Sequence, residues 1–342
     1  MACRQSYMLV CRMGALRLFL AISVVIAHTG PLFGLQLMPS FEAVRIFFAI
    51  SGFYMALVLK EKYAGRTLLF YSNRALRIYP TYWLALAVTL PLIGRWPLQG
   101  LEGLSWLGAL FANLSLFGAD VLYFTRHGPR LAVDPAWSLG AELLFYLAAP
   151  FIARLGTWWL GGIAAVSFGL QLALDHFHPW TSYYLFPTNL CFFVYGMLAF
   201  RFMGTGLFAV LRARLGWPIA AGALLALMGR EFVPLFRNYS WMHYVVAFGA
   251  LPFIFSQFKR LAWDRWIGEL SYPVYILHFA AINAAIRFFG GPSLWWTLAM
   301  TLPASVAVVL WFEGPIDRWR ARRAEAGNPA ANLHDRNLAK AT

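Results

Sequence analysis

The chain alternates long apolar runs with short polar connectors, and most of its basic residues fall in the connectors. About 20 apolar residues cross a bilayer as a helix, and fewer suffice when flanking side chains snorkel to the interface. On that measure spans are predicted near 15–35, 43–60, 79–94, 136–156, 158–175, 184–203, 216–230, 241–258, 270–289 and 293–313. The run Leu104 to Gly118 contains Asn113 and is short for a crossing, so a short interfacial helix is expected there. The predicted fold class is an all-α polytopic membrane protein with about ten transmembrane helices.

Ten crossings leave both termini on one side, and charge assigns that side. Of the 28 Lys and Arg, only Arg45, Arg95, Arg126, Arg130, Arg230, Arg237 and Arg287 fall on the opposite side. The excess of positive charge on the terminal side predicts cytoplasmic termini. A full crossing at 104–118 would invert everything after it and destroy the bias. Arg4 and Arg12 precede the apolar run Leu16 to Ala27, but no small-residue cleavage site follows, so this run reads as an uncleaved first helix. One integral domain is expected over 1–323, followed by a cytoplasmic tail, 324–342, too poor in apolar residues to fold.

Composition agrees with this layout. With 61% hydrophobic and 12% charged residues, the 342-residue chain departs far from soluble and from disordered proteins. A net charge of +14 would suit nucleic acid, but the charges sit in connectors between spans and act on orientation, so no nucleic-acid partner is expected. Cys3, Cys11 and Cys191 are scattered, with neither a disulfide framework nor metal-ligand spacing.

Polar residues inside spans are expensive, which makes each a functional candidate. Arg17 and His28 are eleven positions apart, which brings them to one helix face about 16 Å apart along the axis. Taken alone, an interfacial anchor and a hydrogen-bonded core histidine explain the pair equally well. Ser51-Gly52, between Phe47-Phe48 and Phe53, permits close approach of a ligand or, more simply, of another helix. Arg74 and Arg77 form one double-cationic face suited to phosphate, although topology and lipid head groups account for them as well. Asp134-Pro135 reads as a helix start that sets Trp137, Ser138 and Glu142 in its first two turns, with Glu142 at a depth comparable to His28. A histidine and a carboxylate meeting in a dry cavity make a general base and its orienting partner. Tyr272, Tyr275 and His278 recur every three residues, a stripe fit for lining a channel or for interhelical hydrogen bonds. Glu313-Gly314-Pro315 reads as a helix stop with an interfacial acid.

Taken in order, these clusters resemble the membrane acyltransferase-3 family, the O-acetyltransferases of bacterial glycans. The residues that carry the resemblance are Arg17 with His28, Phe47-Phe48-x-x-Ser51-Gly52-Phe53 and Arg74-x-x-Arg77-Ile78-x-Pro80. Trp137-Ser138-Leu139-x-x-Glu142, Ser271-Tyr272-x-x-Tyr275-x-x-His278 and Glu313-x-Pro315 complete the series. The resemblance implies an inner-membrane, multi-pass enzyme that moves an acyl group, usually acetyl, from cytoplasmic acyl-CoA to a hydroxyl of an exported or surface glycan or glycolipid. Acyl-CoA would be a co-substrate, with no bound cofactor and no metal. In this reading Arg74, Arg77 and Arg17 hold the donor, His28 is the base and Glu142 orients it. Ser51, Gly52, Trp137, Ser138, Tyr272, Tyr275 and His278 line or support the path. The competing classes are a polytopic transporter, which predicts an inverted repeat not found in this sequence, and an assembly partner in glycan export.

Overall fold

A computed structural model describes residues 13–326, apart from 95, 123–129, 230–231, 240 and 259–260. Among the described residues the chain is helical, with a single isolated bridge between Leu32 and Leu35. The helices are α1 (Gly14–Thr29), α2 (Ser40–Glu61), α3 (Thr67–Thr89), α4 (Gly103–Ser115) and α5 (Ala136–Ile152). Next come α6 (Thr157–Phe177), α7 (Pro179–Tyr184), α8 (Phe186–Phe202), α9 (Gly206–Met228) and α10 (Pro234–Asn238). The last are α11 (Trp241–Phe258), α12 (Ala262–Phe289), α13 (Leu294–Ala307) and α14 (Gly314–Ala326), with a π-helical turn, Val308–Glu313, joining the final two.

Six stretches are long and apolar enough to cross a membrane: α2, α6, α9, α11, Trp263–Phe289 of α12, and Leu294–Ala324 across α13 and α14. Two shorter apolar helices, α1 and α5, accompany them. The protein is therefore a multi-pass membrane protein. Burial sorts the helices: α2 is largely enclosed, whereas α6 and α9 turn most of their apolar surface outward, as helices facing hydrocarbon do.

Several predicted boundaries move. The predicted span starting at 79 is a helix from Thr67, the one at 216 starts at Gly206, and the one at 270 starts at Ala262. Hydropathy marks the apolar crossing, while helical hydrogen bonding runs on through the polar residues beyond it. Arg74 and Arg77 accordingly lie within α3 rather than in a connector. The first helix ends at Thr29 instead of 35, because Gly30 has φ 117° and Pro31 follows it. At 13 residues, α4 is about 20 Å long, short of a hydrocarbon core of about 30 Å. The predicted tail begins too early, since α14 runs to Ala326; residues 327–342 lie outside the described region, as do Cys3 and Cys11.

Two close helix crossings hold the centre. At the α2–α8 crossing, a Cβ on Gly52 would collide with the Phe193 carbonyl, and one on Gly196 would collide with that of Ala49. Without a Cβ at these points the backbones come into direct contact, which is the means by which helices associate in lipid. Gly14 and Gly268 do the same for α1 against α12, and that crossing brings His28 within reach of His278.

Candidate active site

His28 lies in the last turn of α1 and His278 midway along α12. Their rings stack with centroids 5.3 Å apart, and His28 Nδ1 is 3.2 Å from His278 Nε2. His278 Nδ1 is 2.7 Å from the Tyr275 carbonyl oxygen. A carbonyl only accepts, so His278 Nδ1 carries the proton and its Nε2 holds a lone pair. His28 Nδ1 must then donate to that lone pair, which leaves His28 Nε2 unprotonated in the neutral ring. This is the tautomer a general base needs. His278 is fully buried, whereas His28 is exposed to a cavity.

Two cavities meet at this part of the molecule. The histidine cavity takes His28, Asp134, Arg45, Trp180, Tyr183 and Tyr184 into its wall. The arginine cavity, toward the N-terminal end of α1, is lined by Arg17, Ser51, Arg74, Arg77, Glu142 and Arg320, with Tyr272 beside them. Tyr275 and Val44 border both. The buried Tyr275 hydroxyl is 2.8 Å from Ser138 Oγ, and the Tyr275 ring packs edge-on against Phe47 at 5.9 Å. The stripe on α12 therefore runs along the path, with Tyr272 in the arginine cavity, Tyr275 at the partition and His278 behind His28. Tyr272 also donates to the Ile78 carbonyl at 2.7 Å. Trp137 supports the wall, its ring against Tyr183 and Tyr184 at 4.7 and 4.8 Å.

Glu142 does not meet His28. It accepts from Ser51 Oγ at 2.6 Å and from the Tyr146 hydroxyl at 2.5 Å, inside the arginine cavity. Depth explains the separation. Pro135 lines the histidine cavity, and seven residues of helix carry Glu142 about 10 Å further along the axis. The carboxylates that share the cavity with His28 are Asp134 and Asp175. α5 starts at Ala136 with Pro135 at its N-cap, one residue later than the expected capping role of Asp134 requires.

Ser51 and Gly52 divide the two readings of their motif, Ser51 facing the cavity and Gly52 the helix crossing. Arg77 pairs with Glu313 at 3.1 Å and with Asp317 at 3.6 Å, and Thr81 donates to Glu313 at 2.7 Å. Glu313 is thus a buried counter-ion of Arg77 rather than an interfacial acid. Arg74 is buried with its guanidinium over Phe70 and Tyr146, and its Nε has no partner among the described residues. Sequence reasoning missed Asp134, Arg45 and Arg320 as cavity residues. Arg45 and Arg320 carried no signal beyond their place in the charge count, and Asp134 was absorbed into a capping pattern. No cluster of His, Cys, Asp or Glu able to hold a metal occurs among the described residues.

His278 is a positioning residue in this geometry. His278→Leu, which deletes the acceptor for His28 Nδ1–H, is expected to lower kcat about 10–100-fold, the usual worth of such an orienting partner. His278→Gln offers an amide oxygen in its place and should restore part of the rate. Equal losses in the two variants would mean that the ring serves packing alone.

The profile of the acyltransferase-3 family, described as an acyltransferase domain, matches residues 12–314. The exopolysaccharide production protein ExoZ of Rhizobium meliloti (strain 1021) is 28% identical over 313 residues, which cover 83% of this chain and 92% of ExoZ. The acyltransferase MdmB of Streptomyces mycarofaciens is 24% identical over 284 residues, 73% of this chain and 70% of MdmB. Protein 2 in the picA locus of Rhizobium radiobacter is 35% identical over 137 residues, 36% of this chain and 72% of that protein. No solved structure matches with significance.

Proposed function

The chain belongs to the acyltransferase-3 family of membrane acyltransferases, and from that premise we propose that it transfers an acyl group, acetyl by preference, from cytoplasmic acyl-CoA to a hydroxyl of an exported or surface glycan. Its place is the inner membrane, crossed ten times, with both termini in the cytoplasm. The observation that carries the reading is the pair of neighbouring cavities that share Tyr275 in their walls, one rich in arginine and one holding His28. The likeness to an exopolysaccharide production protein supports a glycan acceptor.

The donor enters at the arginine cavity, where Arg74 and Arg17 attract its phosphates and Glu142 balances their charge while the cavity is empty. Its pantetheine arm extends along Tyr272 toward Tyr275, away from bulk water that would hydrolyse the thioester. The acceptor hydroxyl enters the histidine cavity, and His28 Nε2 removes its proton as the oxygen attacks the thioester carbonyl. The tetrahedral intermediate collapses with cleavage of the C–S bond. The imidazolium then returns the proton to the departing CoA thiolate, so that ester and free thiol leave. Throughout, His28 Nδ1–H keeps its bond to His278.

The test is radiolabelled acetyl-CoA with the purified protein and a glycan acceptor fraction, following label in glycan and release of free thiol. Absence of both with folded protein would overturn the reading. Within it, Arg74→Gln is expected to raise the KM for acetyl-CoA about 10- to 100-fold, the worth of a charge-assisted phosphate contact of about 1.5–3 kcal/mol. The KM for S-acetyl-pantetheine, which lacks phosphate, should stay within twofold. A parallel rise in both would move Arg74 out of phosphate binding.

A further inference from the structure

The region matched by the family profile ends at residue 314, where α14 begins. Nothing in that match assigns a role to α14, yet the helix is fixed along α3 by three separate arginine contacts. Arg66 Nη1 donates to the Ala324 carbonyl at 3.0 Å, Arg77 lies 3.6 Å from Asp317, and Arg323 Nη2 donates to Ser72 Oγ at 3.4 Å. Held in this way, α14 carries Arg320 into the wall of the arginine cavity beside Arg74.

Both residues are more than nine-tenths buried, each 7% exposed. Arg320 Nη1 donates to Asp317, a carboxylate that also faces Arg77. The Nε atoms of Arg320 and Arg74 have no partner among the described residues. Burying a guanidinium with unmet donors is costly unless an anion completes it. A planar fork of donors fits phosphate oxygens better than a point charge does. Four arginines face this cavity against the single lining carboxylate of Glu142.

We infer that Arg320, on the C-terminal helix outside the family-matched region, is a phosphate-binding residue of the donor site and acts together with Arg74. The inference rests on the proposed acyl-CoA donor, and it makes α14 a working part of that site rather than a cytoplasmic extension.

The experiment is calorimetric titration of the full-length protein in neutral detergent with CoA and with pantetheine, for wild type, Arg320→Gln, Arg320→Lys and Arg322→Gln. Arg320→Gln should weaken CoA about 10- to 100-fold and leave pantetheine within twofold. Arg320→Lys, which keeps the charge without the fork, should fall between and covers the case in which Arg320→Gln does not fold. Arg322→Gln removes an exposed charge from the same helix and should bind CoA as wild type does. Wild-type affinity for CoA in both Arg320 variants would overturn the inference while leaving the donor reading intact, whereas a wild type indifferent to CoA would overturn that reading as well. A lipid phosphate is the other source of the same chemistry. Thermal stabilisation by phosphatidylglycerol that disappears in Arg320→Gln, with CoA affinity unchanged, would assign Arg320 to lipid and end the proposal.

Discussion

His28→Ala should lower acyl transfer by about 10²–10⁴, the range expected when a general base is lost. The fall should appear in kcat, with donor affinity unchanged, because the arginines that attract the donor face a different cavity. Folding should be spared. His28 is exposed at a cavity wall and its side chain hydrogen-bonds to His278, so the truncation leaves little buried apolar surface unfilled. Turnover, thermal melting and CoA affinity measured on one preparation would separate these effects. More than a tenth of wild-type turnover with a normal melting profile would remove the imidazole from the reaction.

Gly52→Val should yield no folded enzyme. The Phe193 carbonyl occupies the position its Cβ would take, and a backbone atom cannot swing aside as a side chain does. The α2–α8 crossing must open, and Gly196 against Ala49 in the same crossing opens with it. Overpacking usually costs about 1–3 kcal/mol when side chains can shift, and more when they cannot. Against a typical total stability of about 5–15 kcal/mol, that loss is decisive. Gly222→Val on exposed α9 is the matched control, since nothing lies within 4 Å of its Cβ direction. Monodisperse elution and melting temperature would read both. A Gly52→Val protein that elutes and melts like wild type would refute the crossing as drawn.

Much of the candidate site was legible in the sequence. Arg17 and His28 share α1 and reach opposite cavities, as eleven residues of helix require. Tyr272 and Tyr275 line the arginine cavity and His278 backs His28, because a three-residue step keeps them on one helix face. The partner of His28 was not legible. Two turns of α5 set Glu142 and Asp134 about a cavity's depth apart, and which of them lies level with His28 depends on how α5 sits against α1.

The sequence by itself determined that this protein lives in a membrane, where its apolar helices lie to within a turn or two at most ends, and which polar residues are buried at a price. Those properties follow from transfer energies and helical periodicity, which act residue by residue along one chain. Tertiary structure alone decided that His278 fixes the tautomer of His28, that Glu142 belongs with the arginines, that Glu313 is the counter-ion of Arg77, and that Arg320 enters the cavity. Each of these is a contact between helices far apart in sequence. It is set by crossing points such as Gly14 on Gly268, where the absence of a side chain fixes the distance and therefore which residues meet.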